Sequence, residues 1–202
     1  MTPHYYPKAT LESIARHIIS QYDGSLLAAP APIPVESIME KVYGLKMDFQ
    51  FIRNNGRVLG ETVFEDMAVP IYERVNQEGY KLIPVTAGTV IIDASLINNR
   101  GDGRFRYTCA HELAHWVIHK GFYTQSGETA AMTKAVKSSE SDKTIERQAD
   151  RLGSYLLMPK GVVKMAFYRN RNDQNVIDNL AMLFGVSRKA MKIRLEEMRL
   201  LL

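Results

Sequence analysis

The chain has 202 residues, 46% of them hydrophobic, enough for one domain with a real core, or for one domain with a small appendage. The formal net charge is +4 and Lys and Arg are spread along the chain, so no basic footprint for nucleic acid stands out. The single cysteine, Cys109, excludes an internal disulfide framework and reads as a core thiol; no basic leader or apolar run near 18 residues marks a signal or membrane span, so the expected location is the cytoplasm.

Thr10 is placed to cap a first helix, in which Leu11, Ile14, Ala15, Ile18 and Tyr22 follow helical spacing. His17 in that helix has no partner at ligand spacing and reads as a surface or packing residue. The Pro30–Pro34 stretch is a rigid connector, and Pro34 suits the first position of a second helix with a Val35, Ile38, Met39, Val42 stripe and Gly44 as its C-terminal cap. The period then changes to two. Leu45, Met47, Phe49 and Phe51 alternate with polar residues, as in a strand with one buried face. After an Asn54-Asn55-Gly56 turn, further strands are expected at Val58–Phe64, Ala68–Tyr72, Tyr80–Val85 and Thr89–Asp93, forming a small mixed or antiparallel sheet.

A loop at Asn98–Gly103 leads into a helical stretch, Arg104–His119, expected to stop near Lys120-Gly121. It contains His111-Glu112-Leu113-Ala114-His115, an H-E-x-x-H pattern. At 3.6 residues per turn the two histidines lie one turn apart on one face, so their imidazoles can converge on one metal ion. Glu112 is rotated by roughly 100°, beside the ion, where a carboxylate can take a proton from a metal-activated water. His119 lies roughly 6 Å further along the axis than His115, too far to share that ion. With no Gly to break the helix and swing it back, it reads as a packing residue or a support behind the ligands.

Zinc needs a third protein ligand. Phe122–Lys143 is a long polar connection of the kind that forms lids, binding segments or mobile regions, with a short helix expected at Glu128–Val136. Thr144 then caps a helix that opens with Glu146-Arg147-Gln148-Ala149-Asp150 and ends at Met158-Pro159. Glu146 and Asp150 share a face at i, i+4. Glu146 can reach the metal while Asp150 accepts a hydrogen bond from the free ring N–H of a ligating histidine. Glu128, Glu140 and Asp142 are alternative carboxylates in the polar stretch.

The C-terminal part reads as two helices meeting at Gly185-Val186-Ser187, with Ser187 as a cap. The shape invites a DNA-binding reading, and Arg188, Lys189, Lys192 and Arg194 add charge. Glu196 and Glu197 dilute it, so a pair of helices packed on the rest is the favoured reading.

Three segments in order, "RFRYTCAHELAHWVIH", "ERQADRLGSYLLMP" and "LAMLFGVSRKAMKIRL", resemble the ImmA/IrrE family of metallopeptidases, over about Thr89 to Leu195. The resemblance implies an α+β, zincin-like fold: a small sheet, an H-E-x-x-H helix and a C-terminal helical pair. It divides the chain into a metallopeptidase core at 1–160 and a helix-turn-helix-like subdomain at 161–202. It implies His111, His115 and Glu146 as metal ligands and Glu112 as catalytic base. The family often carries Asn where this chain has Asp150. Its members are typically bacterial or mobile-element proteins that cleave or inactivate a transcriptional repressor, so the implied partner is a repressor substrate, with direct DNA binding disfavoured.

The expected activity is therefore that of a zinc-dependent endopeptidase. Zinc follows from the ligand set, with Mn²⁺ or Fe²⁺ as alternatives. One rival is a non-catalytic regulator that binds a repressor or DNA around a structural metal. Another is an iron oxygenase, which also uses two His and a carboxylate but sits mostly on barrel strands and has no use for Glu112.

Overall fold

The computed structural model describes residues 3–52, 58–73, 79–99, 103–126 and 140–201. The chain opens with helix α1 (Lys8–Asp23), a short 3-10 turn and helix α2 (Val35–Tyr43). α1 begins two residues before Thr10, with Pro7 at its cap position, and Pro34 caps α2 from just outside rather than forming its first residue. Gly44 ends α2 in the left-handed conformation (φ 64°), its N–H bonded back to the Glu40 carbonyl at 3.1 Å. Of the stripes that hydrophobic spacing marks, Leu11, Ala15 and Ile18 of α1 and Val35, Ile38 and Met39 of α2 are buried, with Ile14, Tyr22 and Val42 partly so; Ile19 is buried as well.

Five strands follow: β1 (Lys46–Gln50), β2 (Gly60–Thr62), β3 (Met67–Glu73), β4 (Gly79–Val85) and β5 (Thr89–Asp93). They form two small sheets. In the first, β5 is central, parallel to β1 and antiparallel to β2, with Glu61 opposite Ile91. All of β5 is buried, which suits a central strand covered on both faces. The second sheet is the antiparallel hairpin β3–β4, which leaves Tyr80 and Leu82 exposed. The expected turn at 54–56 and short helix at 128–136 lie outside the described residues. So do residues 77 and 78 of the turn before β4 and residues 100–102 of the loop before the motif helix.

Helix α3 (Gly103–Ser126) carries the H-E-x-x-H pattern and continues past the expected stop at Lys120-Gly121. A mid-helix Gly costs about 1 kcal/mol relative to Ala. The next turn recovers it by burying Tyr123, which stacks on Phe64 at 4.8 Å between ring centroids and packs with Ile145. Helix α4 (Glu140–Leu157) likewise starts before Thr144, five residues ahead of the first position a Thr144 cap would give. Thr144 lies inside the helix, its hydroxyl donating to the Glu140 carbonyl at 2.9 Å. Glu140 and Asp142 in the first turn favour the positive end of the helix dipole. The polar connection between the two helices is correspondingly shorter than 122–143.

Helices α5 (Lys160–Asn170), α6 (Val176–Phe184) and α7 (Arg188–Glu197) complete the chain. Ser187 caps α7, its hydroxyl accepting from the Ala190 N–H. Val162, Phe184, Met191 and Leu195 join the same buried cluster as Leu113, Ala149 and Leu156. Arg106, in the first turn of α3, ties distant segments together: Nε donates to the Gly185 carbonyl at 3.1 Å and Nη2 to the Ile33 carbonyl at 2.8 Å. Arg194 is buried. It donates to Glu12, Glu197 and the Met158 carbonyl, with its guanidinium over the Tyr155 ring. It therefore adds nothing to an exposed basic face, contrary to its reading from sequence. Arg188 and Lys192 pair with Asp178 and Glu196.

Candidate metal centre

α3 and α4 pack face to face, and Gly153 sets how closely. A Cβ there would lie 3.1 Å from the His111 backbone nitrogen. The missing side chain lets α4 approach the turn of α3 that bears the histidines, and brings Glu146 within reach of them.

Nε2 of His111 and Nε2 of His115 are 3.0 Å apart. Glu146 faces both, with Oε2 at 3.5 Å from the first and Oε1 at 3.6 Å from the second. A tetrahedral zinc with Zn–N bonds of 2.0–2.1 Å separates its donor atoms by about 3.3 Å, so these spacings suit one small cation. The protonation pattern points the same way. Nδ1 of His111 lies 2.9 Å from the Asp150 carboxylate, which can only accept. The N–H is poorly aligned on that oxygen, but no other acceptor meets it. Asp150 is steadied by the Tyr107 hydroxyl, which donates to it at 2.8 Å. Neutral His111 therefore carries its proton on Nδ1 and turns a bare Nε2 towards His115 and Glu146. His111, His115 and Glu146 thus form a cluster able to hold a divalent ion such as Zn²⁺.

In the metal-free protein a proton competes for this place. Burial disfavours the imidazolium of His111, but hydrogen bonds to Asp150 and Glu146 and the charges of Glu112 and Glu146 outweigh it and raise its pKa to about 9. The reciprocal effect holds Asp150 below the usual carboxylate range: burial opposes ionisation, and His111 and Tyr107 overcome it. His119 is different. Burial pulls its pKa down to about 4, so it stays neutral.

Glu112 is buried beside the histidines, 2% exposed. Thr62 of β2 holds it, with its hydroxyl 2.7 Å from Oε2 and 3.0 Å from the Glu112 carbonyl. Gly60, two residues earlier on the same strand, makes the approach possible. A Cβ there would sit 2.7 Å from both Cγ and Oε1 of Glu112 and 2.8 Å from Thr108 Cγ2. The open side of the site is a cleft whose walls include Leu59, Gly60, Arg104, Tyr107 and Thr108. Glu140, one alternative carboxylate, instead pairs with Lys143 at the exposed start of α4. Glu128 lies outside the described residues. The Cys109 thiol is fully buried, and burial pushes its pKa up, as expected of an inert core thiol.

Thr62, Gly60, Gly153 and Tyr107 were not singled out from the sequence. Gly60 had one legible signal, a glycine inside an expected strand, which marks a close backbone approach. Thr62 had none.

Two histidines on one helix, a carboxylate from the next and a buried glutamate beside them define a catalytic zinc metallopeptidase site of the H-E-x-x-H…E type, on an α+β zincin-like fold. The family description "IrrE N-terminal-like domain", peptidase family M78, matches residues 72–196, and the chain belongs to that family. A solved structure described as a Mycobacterium tuberculosis transcriptional regulator is similar in fold, with a TM-score of 0.53 at 15% identity. The match covers 93% of this chain and 46% of that one, so this chain spans about half of that protein's length. Comparison with curated proteins yields no match. Among the described residues, no helix is long and apolar enough to cross a membrane.

Proposed function

We propose that the protein is a zinc-dependent endopeptidase that cleaves a transcriptional regulator, a repressor being the substrate class. The observation that carries the peptidase reading is the convergence of His111 Nε2, His115 Nε2 and Glu146 carboxylate oxygens within 4.8 Å of one another, with Glu112 buried alongside. The repressor rests on the family resemblance, and the fold likeness to a transcriptional regulator is in keeping with a regulatory setting.

In this reading His111, His115 and Glu146 hold the ion. When bound, zinc supplies Lewis acidity, which lowers the pKa of a coordinated water to about 7 and polarises a carbonyl. Asp150 fixes the ring of His111 from behind, with Tyr107 fixing Asp150 in turn. Glu112 is the proton carrier. It accepts the proton of the attacking water and delivers it to the leaving amine. Thr62 restrains the carboxylate at Oε2, so its swing is limited to the cleft side. The polar residues Arg104 and Tyr107 line the cleft in which the substrate would lie.

The test is to incubate zinc-loaded protein and its Glu112→Gln variant with purified repressors from the same genome and to read new N-termini by mass spectrometry. Cleavage at a defined bond by the wild type alone supports the reading. A fully zinc-loaded wild type that cuts none of them, and whose biological effect survives Glu112→Gln, overturns it in favour of a non-catalytic regulator.

A further inference from the structure

His115 has a second ring nitrogen, and its surroundings differ from those of His111. Nδ1 of His115 lies 3.2 Å from Nδ1 of His119, one turn further along α3. Nε2 of His119 lies 3.1 Å from the Gln148 side-chain oxygen, and the Gln148 amide nitrogen lies 2.9 Å from the His4 backbone carbonyl. His119 and Gln148 are 1% and 3% exposed, so water does not complete their hydrogen bonding.

The direction of every proton in this chain follows from its far end. A backbone carbonyl only accepts, so the Gln148 NH₂ must face His4 and its carbonyl must face His119. That carbonyl only accepts, so His119 Nε2 bears the ring proton. Neutral His119 then offers a lone pair at Nδ1, and His115 must donate from its own Nδ1. The remaining nitrogen of His115, Nε2, is left bare, and it is the atom that faces His111 and Glu146. Burying His119 and Gln148 costs desolvation that an apolar pair would avoid. The polar pair makes sense as a way of setting the tautomer.

We infer that His119 and Gln148, anchored on the His4 carbonyl, are positioning residues that hold His115 in its Nδ1–H tautomer and aim its Nε2 at the metal. This rests on the metal-centre reading above. Each metal-binding histidine thus has its own support: the Tyr107–Asp150 pair behind His111 and a neutral relay behind His115. α4 supplies to this centre the third ligand and one member of each support.

The test has two readouts. In zinc-free, folded wild-type protein, ¹⁵N–¹H NMR of the imidazoles is expected to show His115 protonated at Nδ1 and bare at Nε2. Zinc affinity, measured by competition with a chelator, is expected to fall about 10- to 100-fold in His119→Phe, the range seen when such supports are removed. It should recover largely in His119→Asn, whose amide oxygen can stand where Nδ1 stands. Gln148→Leu should fall less than His119→Phe, and Gln148→Glu, which still accepts from His119, less again. A wild-type His115 protonated at Nε2 overturns the inference. So do His119→Phe and Gln148→Leu variants that bind zinc within twofold of wild type. Should His119→Phe not fold, Gln148→Leu and the wild-type tautomer decide the matter. A wild type that takes up no zinc sinks the metal-centre reading instead, and the tautomer measurement still reports on the relay.

Discussion

Two of the buried polar clusters among the described residues, one around Arg194 and one at the metal centre, are built on opposite plans. Around Arg194 the charges close on themselves. One guanidinium meets Glu12, Glu197, a backbone carbonyl and the face of Tyr155. At the metal centre, with the imidazoles neutral, acceptors face one another: two ring nitrogens 3.0 Å apart and a carboxylate 3.5–3.6 Å from each. A buried cluster whose valences are met within the chain holds helices together. One that brings acceptors together leaves room for a cation. From sequence, His111 and His115 already read as a metal pair, whereas Arg194 read only as charge on the last helix, and its partners are what place it inside.

The comparison yields a graded set of expectations. The largest effect belongs to Glu112→Gln, which should lower turnover by about 10²–10⁴-fold, the usual range for a lost general base, with zinc content unchanged by elemental analysis. Next, His115→Ala and Glu146→Ala should each abolish stoichiometric zinc; retention of one equivalent in either would break the contrast at its centre. Arg194→Met should leave zinc binding alone and cost about 3 kcal/mol of stability in denaturant titration, near the low end for a broken buried pair because Glu12 and Glu197 keep some contact with water. A loss of zinc without loss of stability in that variant would mean that the two clusters are not independent. Gly60→Ala should reduce turnover more than zinc affinity, since the added methyl meets Glu112 and not the ligands. The smallest effect is expected from Gly153→Ala, a several-fold weaker zinc affinity as α4 backs away from α3 and draws Glu146 with it.

Much of this arrangement was legible from local spacing. His111, Glu112 and His115 are set by the pitch of one helix, and Glu146 and Asp150 by the pitch of another. The strands were legible as short runs between turn residues, but their division into two sheets and the parallel pairing of β1 with β5 were not. What spacing could not show is what reaches across elements. Thr62 contacts Glu112 from 50 residues away, and nothing in the sequence around it distinguishes it from any strand threonine. Gln148 falls between Glu146 and Asp150, on a different face from both, so the reading that found them passed over it. Helix ends were misjudged at Gly121 and Thr144 for a related reason. Local breaker and cap signals gave way to the burial of Tyr123 and Ile145 against Phe64, which brings together the segment after β2 and two helices at once.

Histidines at 111, 115 and 119 recur every four residues, so sliding α3 by one turn, about 5.4 Å, would still offer Glu146 a pair of imidazoles. The displaced helix would bring the indole of Trp116 to the place of the Glu112 carboxylate and move His119 to the place of His115. The repeat makes the wrong alignment chemically passable, and histidine spacing alone does not reject it. Arg106 does. Its two hydrogen bonds, to Gly185 and to Ile33, reach carbonyls on separate segments, and a one-turn slide of the helix would break both. An arginine five residues from the nearest ligand thus acts as the index mark that tells the helix which of its equally spaced histidines to use.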